Sequence, residues 1–197
     1  MATYVNDLRL KEIGTGESSG TWGSETNTNL ELIGEALGFG TQDCFSSDAD
    51  ASTTVADGST DPARAMYFKV TSSATLSATR TLTIAPNTIS RVMFIENATT
   101  GSQSIAISQG TGANVTIPTG DVKAVYLDGA GSGAAVVDAF ANLKVTDAAQ
   151  TNITSLGTLT SLTVDNIAIN DNTISNATAS MILDSAGDIN LDADGGD

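Results

Sequence analysis

The sequence predicts a mainly β chain: a short N-terminal helix, an antiparallel β-sandwich or jelly-roll-like domain, and then a trimeric, intertwined β-shaft. Three observations lead there. Between residues 63 and 145, short runs of alternating apolar and polar residues are separated by Gly- and Pro-containing turns, the pattern of half-buried strands. Helical spacing occurs at Leu30, Ile33, Ala36 and Leu37 and is stopped by Gly38 and Gly40. From Thr151 onward, thin apolar stripes are interspersed with Asn, Asp, Ser, Thr and Gly, and no aromatic residue is present to build a core.

Residues 1–45 form the first region. The stretch from Ala2 to Leu10 reads as a short strand or extended arm, with Tyr4, Val5, Leu8 and Leu10 apolar and charges between them. The loop Gly14-Thr-Gly16-Glu-Ser-Ser-Gly20 departs from nucleotide-binding patterns, because its third Gly comes one place late and no Lys follows for a P-loop. Trp22, the one tryptophan, sits just before a helix expected over about 25–37, with Leu30, Ile33 and Leu37 on one face. Ser24 and Asn27 make an imperfect capping box, and Glu25 suits the positive end of the helix dipole. Gly34 weakens this helix by about 1 kcal/mol relative to Ala, so its formation is expected to depend on a partner surface. Two readings of the apolar face stand side by side. The helix caps its own domain, or it docks on another protein with Trp22 as an anchor.

Residues 46–62 are polar, acidic and small, and read as a linker. The sandwich domain follows over 63–145, with strands expected at 66–71, 79–84, 90–97, 103–108, 114–117, 122–127 and 135–140. Its expected core is Tyr67, Phe68, Val70, Leu82, Ile84, Val92, Phe94, Ile105, Ile107, Val115, Ile117, Val125, Leu127 and Val137. Burying such side chains contributes roughly 1.5–3 kcal/mol each, enough for a small domain. In the last region, 146–197, apolar residues recur every third position and then alternate: Ile153, Leu156, Leu159, Leu162, Val164, Ile167, Ile169, Ile174, Leu183, Ile189 and Leu191. Strands this thin cannot bury their stripe alone. Stacking the same strands from sister copies would cover the stripe and hide the edges, which makes these residues the expected trimer axis. The other reading is an irregular β-tail packed on its own domain.

Composition excludes several classes. The chain has 8 Lys and Arg, 23 Asp and Glu and no His, a net charge of −15. That charge repels nucleic acid and anionic membranes, and no window is long and apolar enough to insert in a bilayer. Without His, neither a Ser-His-Asp arrangement nor an imidazole-ligated zinc site is possible. The carboxylates lie mainly in turns rather than as a pair in an aromatic-lined cleft, so no enzymatic activity and no cofactor are expected. Asp188, Asp192, Asp194 and Asp197, and likewise Asp48 and Asp50, miss the calcium-loop spacings and read as turn formers. The single Cys44 reads as a small apolar residue, not a reactive thiol.

Three stretches carry a family resemblance. The segment YVNDLRLKEIGTGESSGTWGSETNTNLELIGEALGFG, from Tyr4 to Gly40, resembles the N-terminal segment of tail-fibre and related virion proteins of marine and cyanobacterial tailed bacteriophages. The segment from Arg91 to Phe140 resembles a β-domain of the same proteins, and SLTVDNIAINDNTIS and GDINLDADGGD resemble their repetitive shaft. The resemblance implies a homotrimeric fibre of the virion, made in the host cytoplasm. Its N-terminal region would attach to a tail adaptor, nozzle or baseplate protein, and a more distal part would contact the host surface receptor. On that reading Tyr4, Leu8, Trp22, Leu30, Ile33 and Leu37 are the candidate virion-docking residues. The alternatives are a carbohydrate-binding or receptor-binding module on the virion, or another virion structural protein of baseplate or head fibre. Tyr67, Tyr126 and Trp22 buried or facing virion proteins would favour the scaffold; an exposed aromatic patch on the sandwich would favour glycan binding.

Overall fold

In a computed structural model, residues 3–141 are described. The chain divides into two units, Met1–Val145 and Thr146–Asp197, and the described residues belong to the first. The proposed trimer axis from Ile153 to Leu191 lies outside the described residues. What is described is mainly β with one helix, α1 (Trp22–Ala36). The N-terminal arm is an antiparallel hairpin of β1 (Thr3–Val5) and β2 (Leu10–Glu12).

After α1 the chain winds between two sheets. Strands β3 (Phe39–Phe45), β5 (Tyr67–Thr75) and β7 (Arg91–Thr100) stack in parallel in one sheet. The alternate strands β4 (Ala51–Thr54), β6 (Arg80–Ala85) and β8 (Ile105–Ser108) stack in parallel in the other. Each turn of this two-sided coil therefore lies on the one before. The coil is closed by antiparallel strands. β9 (Val115–Ile117) reverses onto β8, while β10 (Val122–Leu127) and β11 (Val136–Asp138) extend the first sheet beyond β7. The sheets run β11-β10-β7-β5-β3 and β4-β6-β8-β9.

The expected strands form at nearly their expected places, but the antiparallel sandwich is corrected to a mixed one. Period-two alternation marks a strand without naming its neighbour. The expected linker is corrected too: β4 lies within it, and Phe45, Thr53 and Val55 are buried. Its small polar residues pair through the backbone with β6, a contribution that side-chain polarity does not reveal. Gly40 in β3 is buried because a Cβ there would overlap the Pro62 backbone, so the first coil turn closes tightly.

The core lies between the sheets. Phe68, Val70, Met93, Ile95, Val125 and Leu127 from one side meet Leu82, Ile84, Ile105, Ile107 and Ile117 from the other. Expected core residues Val92, Phe94 and Val137 are exposed instead, and Tyr67 is half-buried. In the run Val92-Met-Phe-Ile95 both parities are apolar; Met93 and Ile95 take the inside, which turns Val92 and Phe94 outward. Two buried polar side chains close the coil. Asn97 donates through Nδ2 to the carbonyls of Gln103 and Ile117, both at 3.0 Å, and accepts from Thr99 Oγ1 at 2.7 Å. Gln109 donates to the Ile89 carbonyl at 2.7 Å and accepts from the Gly129 N–H at 3.1 Å.

The N-terminal elements are held by Arg64, which is fully buried. Its guanidinium donates to the carbonyls of Leu8, Ala56 (2.6 Å) and Ser59 (2.8 Å) and to Asp61 Oδ2 (3.3 Å). Its Nε lies 3.5 Å from the Glu35 carboxylate of α1. Helix α1 starts at Trp22, earlier than the spacing of its apolar residues suggested. Glu25 reaches back to accept from Ser18 Oγ (2.5 Å) and Thr21 Oγ1 (3.2 Å), which fixes the extra turn.

Replacing Arg64 by Met leaves the Asp61 and Glu35 carboxylates facing each other without their counter-charge. It should cost about 3–5 kcal/mol in a denaturant titration. Arg64→Lys should also destabilise, because one ammonium cannot serve three segments. A second prediction concerns acid. Hydrogen bonds from Arg80 and Ser77 hold the Asp48 carboxyl well below the usual range. A carboxylate with a depressed folded pKa adds stability above its unfolded value near about pH 4, and that stability is lost as pH falls through the folded value. Melting temperature should therefore fall below about pH 4, and Asp48→Asn should make the decline shallower.

Candidate functional site

Helix α1 buries Leu32 and Ala36 against its own chain. Asn29 on the same side exchanges two hydrogen bonds with the backbone of Lys11, at 2.8 and 3.0 Å. This fixes the helix's rotation and leaves Leu30, Ile33 and Leu37 outside the chain's own packing. At about 3.6 residues per turn, Leu30 and Leu37 turn well away from Leu32 and Ala36, with Trp22 and Ile33 on the flank between. Trp22 is 64%, Leu30 61% and Leu37 69% exposed. No charge interrupts this stripe, since Glu25, Glu31 and Glu35 lie around the rest of the helix. Gly23 and Gly34 share the outer side, and a Cβ on either would meet nothing within 4 Å. Neither glycine is needed by the chain's own packing, yet each costs the helix stability.

The outer face of the five-stranded sheet is a second apolar surface, beginning two residues beyond Leu37 with Phe39. Register places Phe39 beside Tyr67, Tyr67 beside Phe94 and Phe94 beside Ala124. The rings of Phe39 and Tyr67 stack with centroids 5.7 Å apart. A parallel row runs Val92, Tyr126, Val137. The polar groups here are already engaged. Lys69 pairs with Glu96 at 2.9 Å, the Tyr67 hydroxyl donates to Glu96 at 3.0 Å, and the Tyr126 and Ser90 hydroxyls are 3.0 Å apart. Sequence reasoning missed this face. The available signal was a strand apolar at both parities, which marks a sheet with something on each side.

The remaining candidates serve the chain itself. Tyr4 and Leu8, of the docking set, are half-buried: the Tyr4 ring occupies the place of a Cβ on Gly58, and the Leu8 carbonyl accepts from Arg64. A cleft of about 530 Å3 holds Glu31 and Glu35, but Glu35 is taken by Thr60 Oγ1 (2.7 Å) and the Asp61 N–H (2.9 Å). Asp48 accepts from Arg80 Nε at 2.8 Å and Asp50 from the Thr81 N–H at 2.8 Å, so these carboxylates pin a turn. Among the described residues no group of His, Cys, Asp or Glu is arranged to hold a metal ion. Cys44 is half-buried, and burial pushes its thiol up to about 12, far from a reactive thiolate. Among the described residues, no helix is long and apolar enough to cross a membrane.

Since none of the described residues occupies the space beside Gly34, Gly34→Ala should stabilise the free protein by up to about 1 kcal/mol, read by chemical denaturation. No protein-family model, no curated protein and no solved structure matches the chain.

Proposed function

We propose that this chain is a non-enzymatic structural protein of a tailed-phage fibre. Its N-terminal part attaches the fibre to a tail adaptor, nozzle or baseplate protein. Residues from about 146 onward begin a homotrimeric shaft that leads to host recognition. The observation that carries the reading is the exposed, charge-free stripe of Trp22, Leu30, Ile33 and Leu37 on a helix locked to the chain through Asn29, Leu32 and Ala36. An apolar stripe with an aromatic anchor, depleted of charge, has the composition of an interface core. The two open glycines let a partner backbone come close. The sequence resemblance over Tyr4–Gly40 and Arg91–Phe140 supports the same assignment, and the net charge of −15 speaks against nucleic acid or membrane surfaces as partners.

A second reading has its own observation. Phe39, Phe94 and Tyr126 form an exposed aromatic patch on the sheet, the feature expected of a carbohydrate-binding module on the virion. Sugar sites also need convergent free polar groups, and here both tyrosine hydroxyls are engaged.

In solution the full chain should sediment as three copies of the 20.0 kDa subunit. A monodisperse monomer would overturn the fibre reading. The double substitution Leu30→Glu with Ile33→Glu should leave mass and melting temperature unchanged and abolish binding to the purified tail adaptor, nozzle or baseplate protein. Unchanged binding to all three would remove the docking role.

A further inference from the structure

We infer that the outer face of the five-stranded sheet is where copies of this chain meet each other. Phe39, Tyr67, Phe94, Val92, Tyr126 and Val137 would line the three-fold axis. The inference rests on the fibre reading above and names its self-contact within residues 3–141.

Charge identifies the occupant. Every copy is strongly acidic, so two copies repel wherever their surfaces are apposed, except where charge cancels. On this face the charges of Lys69 and Glu96 cancel at 2.9 Å, and Asp43 stands only at the rim, on edge strand β3. A basic partner would find no free carboxylate in the middle of the face. A sugar would find the hydroxyls of Tyr67 and Tyr126 already bonded. A sister copy presents the same dry, neutral rows.

Chain continuity points the same way. β11, with exposed Val137, is the other edge strand of this sheet, and Phe140, 58% exposed, follows it. The chain then continues toward the stripe that begins at Ile153, read above as shared among three copies. Copies that share that stripe are tethered at Phe140, on the border of this face.

The two ends of the face differ, which suits a ring. Phe39 and Tyr67 lie toward β3, Val92 and Phe94 on the central strand β7, and Tyr126 and Val137 toward β11. A three-fold contact is heterologous, so one end of each copy meets the other end of the next, and the arrangement closes.

The test uses the full chain with Cys44→Ala and one new cysteine. With Phe94→Cys, a short bismaleimide should join copies into covalent dimers, since each copy carries one thiol and the third copy of a trimer is left singly modified. Thr116→Cys, on the four-stranded sheet, should give none. In parallel, Phe94→Glu with Tyr126→Glu should lower the melting temperature of the assembled species or reduce it to monomers. If the parent protein is trimeric but Phe94→Cys does not cross-link and the glutamate variant melts and sediments like the parent, this inference falls and the fibre reading survives. A monomeric parent overturns both. Saturable binding of a defined oligosaccharide, lost in the glutamate variant while the trimer persists, would assign the face to glycan and overturn the inference.

Discussion

One buried guanidinium sets the position of everything before the coil. A charge removed from water is tolerable only if its donors find acceptors. Arg64 finds its acceptors on segments far apart in sequence, Leu8 after the first hairpin strand and Ala56, Ser59 and Asp61 beyond β4, while the Glu35 carboxylate of α1 lies 3.5 Å from its Nε as a charge partner. All must arrive together. Glu35 in turn accepts from Thr60 and the Asp61 N–H, and burial raises the Asp61 pKa even beside its cation, so the cluster holds its charges at some cost. The consequence reaches the surface, because a helix fixed through Asn29, Leu32 and Glu35 turns Leu30 and Leu37 toward solvent, with Trp22 and Ile33 exposed along the flank.

The coil has a comparable logic. Parallel stacking in register puts successive turns' residues into rows, so a property that repeats in sequence becomes a stripe in space. Inside, Leu82 and Ile107 stand side by side and the core is filled. Outside, Phe39, Tyr67 and Phe94 make a ladder, with Lys69 and Glu96 in the row beside it. The chain's excess negative charge is placed elsewhere. Much of it serves as acceptors for backbone N–H groups in turns, as Asp61 does for Ala56 and Arg64, and Asp128 for Ala130 and Ala135. An acidic composition here is largely turn chemistry; the helix stripe is left uncharged, and the sheet face carries the cancelling Lys69–Glu96 pair with Asp43 at its rim.

Much of this was legible from residues alone. Strands near 66–71, 79–84 and 122–127 follow from alternation and turn residues; the helix and its Leu30, Ile33, Leu37 stripe follow from spacing. Residues 46–62 were misread because β4 is a strand of small polar residues whose reason for being extended lies in β6. The sheet face was misread because Val92 and Phe94 are as apolar as Met93 and Ile95. Nothing local says which pair goes inside.

The sequence by itself determined roughly where strands begin and end, that a helix has one apolar side, and that the chain carries a net charge of −15. Those properties depend on residue chemistry within a turn or two of chain. Only the tertiary structure decided that the strands coil in parallel, which parity faces the core, and that the helix shows its apolar side outward. A period of two is the same for either neighbour direction and either face, and the choice is made by distant contacts such as those of Arg64 and Asn29.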